Sequence, residues 1–172
     1  MNDNVLISTR ERVRTLTISR PEKKNAITQD MYQAMADAID DYTAAGDVRA
    51  FVITGAGDYF TSGNDLKDFA VRGMPKPGEE FHNTPGVMKF LHAVSSCPKP
   101  LIAAVNGPGI GIGLTMLLHC DLVYAAESAS LSAPFTRLAL VPEAASSMLL
   151  SQSVGMAVAN DILLAGRTLS AD

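Results

Sequence analysis

The chain has no tryptophan, only two cysteines and no apolar run that approaches the roughly 20 residues of a transmembrane helix. The cysteines, Cys97 and Cys120, give neither a disulfide framework nor the spacing of metal ligands. We therefore predict a reduced, intracellular protein with no metal site and no membrane partner. The N-terminal residues also lack the basic and apolar regions of a signal peptide, which favours a cytoplasmic location.

Basic residues form no extended patch. The 172 residues include 14 Lys+Arg and 18 Asp+Glu, and the formal net charge is −4. A nucleic-acid partner is therefore not expected, although one local basic cluster spans Arg20–Lys24. The composition is 47% hydrophobic and 19% charged, without a fixed-period repeat, which is typical of one globular domain over residues 1–172.

Strand-like and helix-like segments alternate along the chain. The segments Val5–Arg10 and Val13–Ser19 predict a hairpin, and Thr28 is expected to cap a helix that runs to about Ala45. Later strands are predicted at Ala50–Thr54, Leu101–Val105, Leu122–Ala125 and Ala129–Ser132, helices at Asn64–Phe69, Pro85–Ser96, Ile112–His119 and from Glu143, and a connection at Gly73–Gly78. This alternation predicts a largely parallel, layered α/β fold.

Two loops have the same construction, in which a strand leads through a glycine-rich turn into a helix. They are Phe60–Leu66 and Gly107–Gly113. A helix start leaves backbone N–H groups without partners and carries positive potential, so two facing starts would form an oxyanion hole for a thioester carbonyl. The alternative is a pair of ordinary turns in which glycine supplies a positive φ. The second loop is not a dinucleotide fingerprint, because its glycines lie two residues apart.

Together these stretches resemble the crotonase (enoyl-CoA hydratase/isomerase) superfamily. The resemblance is carried by Arg20–Ala26, Phe60–Lys67, Ile102–Gly111 and Cys120–Ala125, in the family's order. It implies a crotonase (ClpP-like) fold, in which repeated ββα units form two stacked sheets flanked by helices and acyl-CoA binds between the two loops. It also implies that residues 1–172 are the core domain, lacking C-terminal helices, and that the full-length protein is a homotrimer or a dimer of trimers.

Carried over position by position, the resemblance implies that the backbone N–H groups of Asn64 and Ile112 donate to the thioester oxygen. Lys23 or Lys24 would lie near the CoA phosphates, with a solvated basic turn as the alternative. The expected substrate and CoA contacts are Lys23, Lys24, Ala26, Ser62, Gly63, Asn64, Asp65, Leu66, Gly111 and Phe135. Acyl-CoA is expected as the substrate, and no separate cofactor is expected.

The acid–base groups distinguish the reactions of this family. Its hydratases use two glutamates to activate water, and the matching positions here are Thr115 and Phe135. The run Ala133–Ser147 instead contains Glu143 and is similar to peroxisomal-type Δ3,Δ2-enoyl-CoA isomerases, in which a glutamate at this position is the single base. The resemblance therefore implies isomerisation of 3-enoyl-CoA to trans-2-enoyl-CoA, with Glu143 moving the proton.

Glu143 has a structural alternative that is compatible with catalysis. It follows Pro142 and is expected in the first turn of a helix, whose dipole would help to keep its carboxylate ionised. The run from His119 to Asp121 is not expected to form a nucleophile cluster, and Arg137 is a candidate pocket residue. Two rival functions stay open: hydration or another crotonase reaction, and CoA binding without catalysis. A peroxisomal location is the alternative to the cytoplasm.

Overall fold

The computed structural model describes residues 2–68 and 86–171. Within them the strands are β1 Val5–Arg10, β2 Val13–Ile18, β3 Ala50–Gly55, β4 Leu101–Val105, β5 Gly109–Ile110, β6 Leu122–Ala125, β7 Ser130–Ser132 and β8 Leu169–Ser170. The helices are α1 Gln29–Ala44, α2 Gly86–Ser96, α3 Ile112–Thr115, α4 Ser146–Val154 and α5 Met156–Leu163. Single 3-10 turns lie at Pro21–Lys23, Met116–His119 and Thr136–Leu138, and residues 66–68 are helical. Phe69, Pro85 and the predicted connection Gly73–Gly78 lie outside the described residues.

The first two strands form the predicted hairpin. β1 pairs antiparallel with β2, with Val5 opposite Ile18. The two residues of the turn, Glu11 and Arg12, have φ of 50° and 68°. A two-residue turn with positive φ at both positions matches the twist of the strands that it joins, which explains why the hairpin closes at this point.

The strands make two sheets. The larger has the order β1-β2-β3-β4-β6, and every pair after the hairpin is parallel. Parallel neighbours need crossover connections, and α1 supplies the one between β2 and β3. The smaller sheet has the order β5-β7-β8. The predicted layered α/β architecture is confirmed, and β5 adds a short strand inside a segment predicted as a loop.

Helix α1 covers the larger sheet with its apolar face. The Thr28 side chain accepts a hydrogen bond from the Met31 N–H, so the predicted cap is confirmed. The face predicted to be buried is buried: Met31, Met35, Ala38, Ile39 and Tyr42. Full burial of one large apolar side chain contributes about 1.5–3 kcal/mol to the stability of the fold. The apolar face therefore holds α1, which leads towards the site, against the larger sheet.

The helix predicted to begin at Glu143 begins instead at Ser146. Ala144 and Ala145 both have φ of 53°, so the chain makes a left-handed turn before the helix. The Ser146 N–H donates to the Glu143 carbonyl at 2.9 Å. A left-handed conformation costs an alanine about 1–2 kcal/mol, and tertiary contacts therefore override the local preference for a helix.

The exposed edge of the larger sheet is apolar at β6. Leu122, Val123 and Tyr124 are 51%, 44% and 65% exposed, and an apolar edge strand favours association with another chain.

Among the described helices, none is both long and apolar enough to span a bilayer.

We expect the 172-residue chain to self-associate through the β6 edge of the larger sheet, so that the associated fraction rises with its concentration. Tyr124→Lys should reduce the association, because a charge on an edge strand opposes pairing. Sedimentation velocity at several concentrations measures the effect. Thr9→Lys adds the same charge to the opposite edge, at β1, and serves as the control. Equal association of wild type and Tyr124→Lys would contradict a role for β6.

Candidate active site

A cavity of about 870 Å³ opens between three parts of the chain: the loop 62–68, the loop 110–112 and the segment 134–143. Most of the residues proposed from the sequence line it: Lys23, Ala26, Ser62, Gly63, Asn64, Asp65, Leu66, Gly111, Ile112, Phe135 and Glu143. The fold therefore brings together residues that lie far apart in the sequence, such as Lys23 and Glu143. Within the described residues, no cluster of three or more His, Cys, Asp or Glu side chains could hold a metal ion.

Lys24, proposed as a contact of the CoA phosphates, and Arg137, proposed as a pocket residue, do not line the cavity. The Lys24 ammonium lies over the Tyr59 ring, 5.2 Å from its centroid, and Lys24 does not line the cavity. The left-handed φ of 52° at Lys24 ends the 3-10 turn Pro21–Lys23. Arg137 donates to the Gly166 carbonyl on the exposed surface and also does not line the cavity.

The two glycine-rich loops are in direct contact. The Ile110 N–H donates to the Thr61 carbonyl at 2.9 Å. A Cβ on Gly63 would lie 2.7 Å from the Ile110 carbonyl oxygen, and a Cβ on Gly113 would lie 2.7 Å from Cγ2 of Thr61. Real side chains do not tolerate such distances, and Gly63 also has φ of 90°. Glycine at both positions is therefore required for the loops to meet.

Each loop has one backbone N–H without an acceptor among the described residues, on a residue that lines the cavity. Asn64 forms a parallel bridge with Ile27, in which the bonds run through the Gly63 carbonyl and the Asp65 N–H. The Asn64 N–H is left over. Ile112 is the first residue of α3, so its N–H has no acceptor within the helix. Neither N–H has an acceptor among the residues that the structure describes, and both residues line the cavity. The pair can hold one developing oxyanion.

A buried tyrosine holds the first of these donors in place. The Tyr32 hydroxyl donates to Oδ1 of Asn64 at 2.5 Å, and the side chain is fully buried against Phe90. Burial, and then the nearby Glu143 carboxylate, raise the pKa of Tyr32 well above its usual value. Tyr32 was not among the residues proposed from the sequence. The sequence did offer one signal, a tyrosine beside a helix position predicted to be buried. The hydroxyl of a buried tyrosine needs a hydrogen-bond partner.

Glu143 is half-buried, and its two carboxylate oxygens have different surroundings. Thr115 Oγ1 donates to Oε1 at 2.5 Å. Oε2 is buried and has no hydrogen-bond partner within the described residues. Burial raises the pKa of Glu143, and the hydrogen bond from Thr115 partly opposes that rise. The expectation that a helix start keeps Glu143 ionised is wrong. Helix α4 begins three residues later, and burial favours the neutral Glu143 carboxyl over the charged one.

An ion pair ties the first loop to the basic cluster. Arg20 Nη1 donates to Asp65 Oδ2 at 2.7 Å and to the Ala26 carbonyl at 3.2 Å. The hydrogen bond from Arg20 is the main reason that the pKa of Asp65 is lowered. Charge-assisted bonds of this kind are the strong ones. Arg20 therefore fixes the segment that carries Lys23 against the loop that carries Asn64.

Known proteins resemble this chain along nearly all of its length. The family model described as enoyl-CoA hydratase/isomerase matches residues 8–172. The chain is 40% identical to enoyl-CoA delta isomerase 2 of Rattus norvegicus, covering 97% of this chain and 42% of that protein. It is 36% identical to a probable enoyl-CoA hydratase of Rhodobacter capsulatus, covering 94% of this chain and 61% of that protein.

A solved structure gives the same result for the fold. The enoyl-CoA hydratase/isomerase of Pseudoalteromonas atlantica superposes with a TM-score of 0.90 and 52% identity, covering 98% of this chain and 65% of that one. The chain thus spans 42% to 65% of the length of these relatives. Their names include both isomerases and hydratases.

The buried carboxylate leads to an expectation for stability. A carboxyl whose pKa is raised on folding destabilises the native state above that pKa, and the effect disappears as the pH falls towards the ordinary value of 4.5. Glu143→Gln should therefore raise Tm at neutral pH, and the gain should shrink at acidic pH. Thermal unfolding across that range measures it, with the exposed Glu127→Gln as the control for losing one charge. A gain that does not change with pH would contradict the burial of a charge.

Proposed function

Because the chain belongs to the enoyl-CoA hydratase/isomerase family, the crotonases, we propose that it isomerises 3-enoyl-CoA to trans-2-enoyl-CoA, with Glu143 as the only acid–base group. The proposal includes acyl-CoA as the substrate, with the Asn64 and Ile112 N–H groups as the oxyanion donors. As in the sequence-based expectation, we propose that the full-length protein is a trimer or a dimer of trimers. The cytoplasmic location, with the peroxisome as its alternative, also stays a prediction.

The observation that carries this proposal is the Glu143 carboxylate, which has one oxygen bound by Thr115 and the other without a partner among the described residues. The other carboxylates that line the cavity are engaged. Asp65 is paired with Arg20, and Asp68 accepts the Gln29 N–H at 2.6 Å. A lowered pKa makes Asp65 a poor base. Glu143 is thus the best candidate for accepting a proton.

The chemistry requires one base and one oxyanion hole. Glu143 takes the proton from C2, and the electron pair of the C2–H bond forms the C1–C2 double bond while the carbonyl pair moves onto the thioester oxygen, which gives a dienolate. Its thioester oxygen accepts hydrogen bonds from the Asn64 and Ile112 N–H groups. The protonated Glu143 then returns the proton at C4, and the double bond ends between C2 and C3. A raised pKa suits both steps, because proton transfer in each direction is easiest when the pKa lies near the working pH.

Hydration of 2-enoyl-CoA is the second candidate, and the 36% identity to a probable hydratase favours it. Hydration has to activate a water molecule, which hydratases of this family accomplish with two glutamates. Thr115 and Phe135 stand at those positions, and neither side chain can act as a carboxylate base. This difference favours isomerisation over hydration.

The cation positions support binding of a phosphate-bearing ligand. Arg20, Lys23 and Lys67 line the cavity on the side of the first loop. Arg20 is engaged with Asp65, which leaves the lysines as the more available point charges. We assign the CoA phosphates to Lys23 rather than to Lys24, because Lys24 lies over Tyr59.

Glu143→Gln tests the base directly. The amide keeps the size of the side chain but cannot accept the C2 proton, so isomerisation of 3-enoyl-CoA should fall by about 10²- to 10⁴-fold. Affinity for CoA should change little. Steady-state assays with 3-enoyl-CoA and 2-enoyl-CoA measure both reactions, and Glu127→Gln is the control. Full isomerase activity in Glu143→Gln would exclude the mechanism, and strong wild-type hydration would favour the second candidate.

Tyr32→Phe tests whether the oxyanion loop needs its buried hydroxyl. Loss of the bond to Asn64 should lower kcat by about 10-fold or more, since misplacing a reacting group by about 1 Å costs about 10²-fold. Tyr42→Phe is the matched control, because Tyr42 donates to the Pro100 carbonyl at 3.0 Å and does not line the cavity. Each variant should lose about 1 kcal/mol of stability, measured by urea unfolding. An equal kcat in both variants would show that Tyr32 has only a structural role.

A further inference from the structure

One short helical stretch contacts both halves of the proposed catalytic machinery. It comprises α3 and the 3-10 turn that follows, from Ile112 to His119. Its first residue, Ile112, lines the cavity. About one turn further, the Thr115 hydroxyl donates to Oε1 of Glu143. At its end, Nε2 of His119 lies 3.0 Å from the carbonyl oxygen of Ala144. Since a carbonyl only accepts, this ring nitrogen carries the proton.

The segment that carries Glu143 is held by contacts rather than by its own preference. Ala144 and Ala145 both adopt the left-handed conformation, which persists in alanine only where the surroundings impose it. The bond from His119 holds the Ala144 carbonyl, and the N–H groups of Met148 and Leu149 both donate to the Ala145 carbonyl. Without these contacts the turn has no local reason to form.

We propose that Thr115 and His119 are positioning residues for Glu143. Because Thr115 and His119 belong to the same helical stretch as the oxyanion donor Ile112, their contacts fix the Glu143 carboxylate relative to that donor. Thr115 and His119 do not line the cavity, so neither acts on the substrate itself. Thr115 orients the carboxylate by occupying Oε1, which leaves Oε2 as the proton acceptor. His119 orients the backbone directly after Glu143, through its contact with the Ala144 carbonyl. This inference rests on the proposed function only in taking Glu143 as the base.

The environment of Glu143 allows the contribution of Thr115 to be measured. Burial raises the pKa of the carboxyl, and the Thr115 hydrogen bond is the contact that lowers it. Among the described residues, the charged groups that line the cavity with Glu143 are Arg20, Lys23, Asp65, Lys67 and Asp68, and Tyr32 and His119 are the titratable groups near its carboxylate and its backbone. None of these is altered by a substitution at Thr115, so a shift in the titration of Glu143 reports the loss of the hydroxyl.

Thr115→Val removes the hydroxyl while keeping the shape of the side chain, and Thr115→Ser restores the hydroxyl. In Thr115→Val, kcat for 3-enoyl-CoA should fall by about 10-fold with little change in KM. The acidic limb of the kcat/KM profile should move to higher pH, because the ionised base has lost a hydrogen bond. Thr115→Ser should return both towards wild type. A purely structural role would change stability without moving the pH profile.

His119 is tested by a second pair of variants. His119→Phe keeps a ring but removes the donor to the Ala144 carbonyl, whereas His119→Gln can still donate from its amide. We expect kcat to fall by about 10-fold in His119→Phe with KM nearly unchanged, and to recover in His119→Gln. Hydrogen exchange at the Ser146 amide, which donates to the Glu143 carbonyl, should become faster in His119→Phe alone.

A titration of the Glu143 carboxyl by ¹³C NMR, assigned by comparison with Glu143→Gln, needs no substrate. If the wild type lacks isomerase activity, the proposed function fails, yet a higher Glu143 pKa in Thr115→Val would still support the positioning role. Unchanged kcat, pH profile and titration in Thr115→Val would overturn the role of Thr115, and wild-type kcat in His119→Phe would overturn that of His119. Thr115→Ala provides a second variant without the hydroxyl, so the test does not depend on the folding of Thr115→Val.

Discussion

The site depends on how closely two backbone segments approach each other. At Gly63 and at Gly113 there is no room for even one methyl group, because a carbonyl or a methyl from the opposite segment already occupies the space. This contact brings the loops together so that Asn64 and Ile112 line one cavity. The helix, the sheet and the hairpin mainly position the two segments for that contact. The Arg20–Asp65 ion pair and the Tyr32–Asn64 hydrogen bond hold the first segment in place.

The same arrangement gives Glu143 its character. Among the described residues, the half-buried carboxylate accepts one hydrogen bond, from Thr115, and its second oxygen is enclosed without a partner. A carboxylate in these surroundings is less stable than one in water, and the raised pKa expresses that instability. The instability suits a group that has to accept a proton and release it again within one turnover. Stability and reactivity are thus opposed at this position.

Much of the fold could be predicted from the sequence, because its signals are local. The hairpin follows from two β-rich segments separated by two residues, and the start of α1 follows from Thr28 as a cap. The positions of Tyr32 and Glu143 could not be predicted in this way. Nothing near Ala144 and Ala145 signals a left-handed turn, and one of the contacts that hold it comes from His119, 25 residues away. The partner of Tyr32 lies 32 residues away. Contacts between distant segments decide these details, and periodicity does not report them.

The left-handed alanines also determine when the site is completed during folding. An isolated chain with the sequence Glu-Ala-Ala-Ser-Ser prefers a right-handed helix through the glutamate, so an early, locally formed helix would contain Glu143. The native turn differs from such a helix, because His119 and the N–H groups in the first turn of α4 donate to the two alanine carbonyls. The carboxylate therefore reaches its place only after the surrounding tertiary structure has formed. Partly folded molecules can thus have native-like helices and still lack the geometry that the base requires.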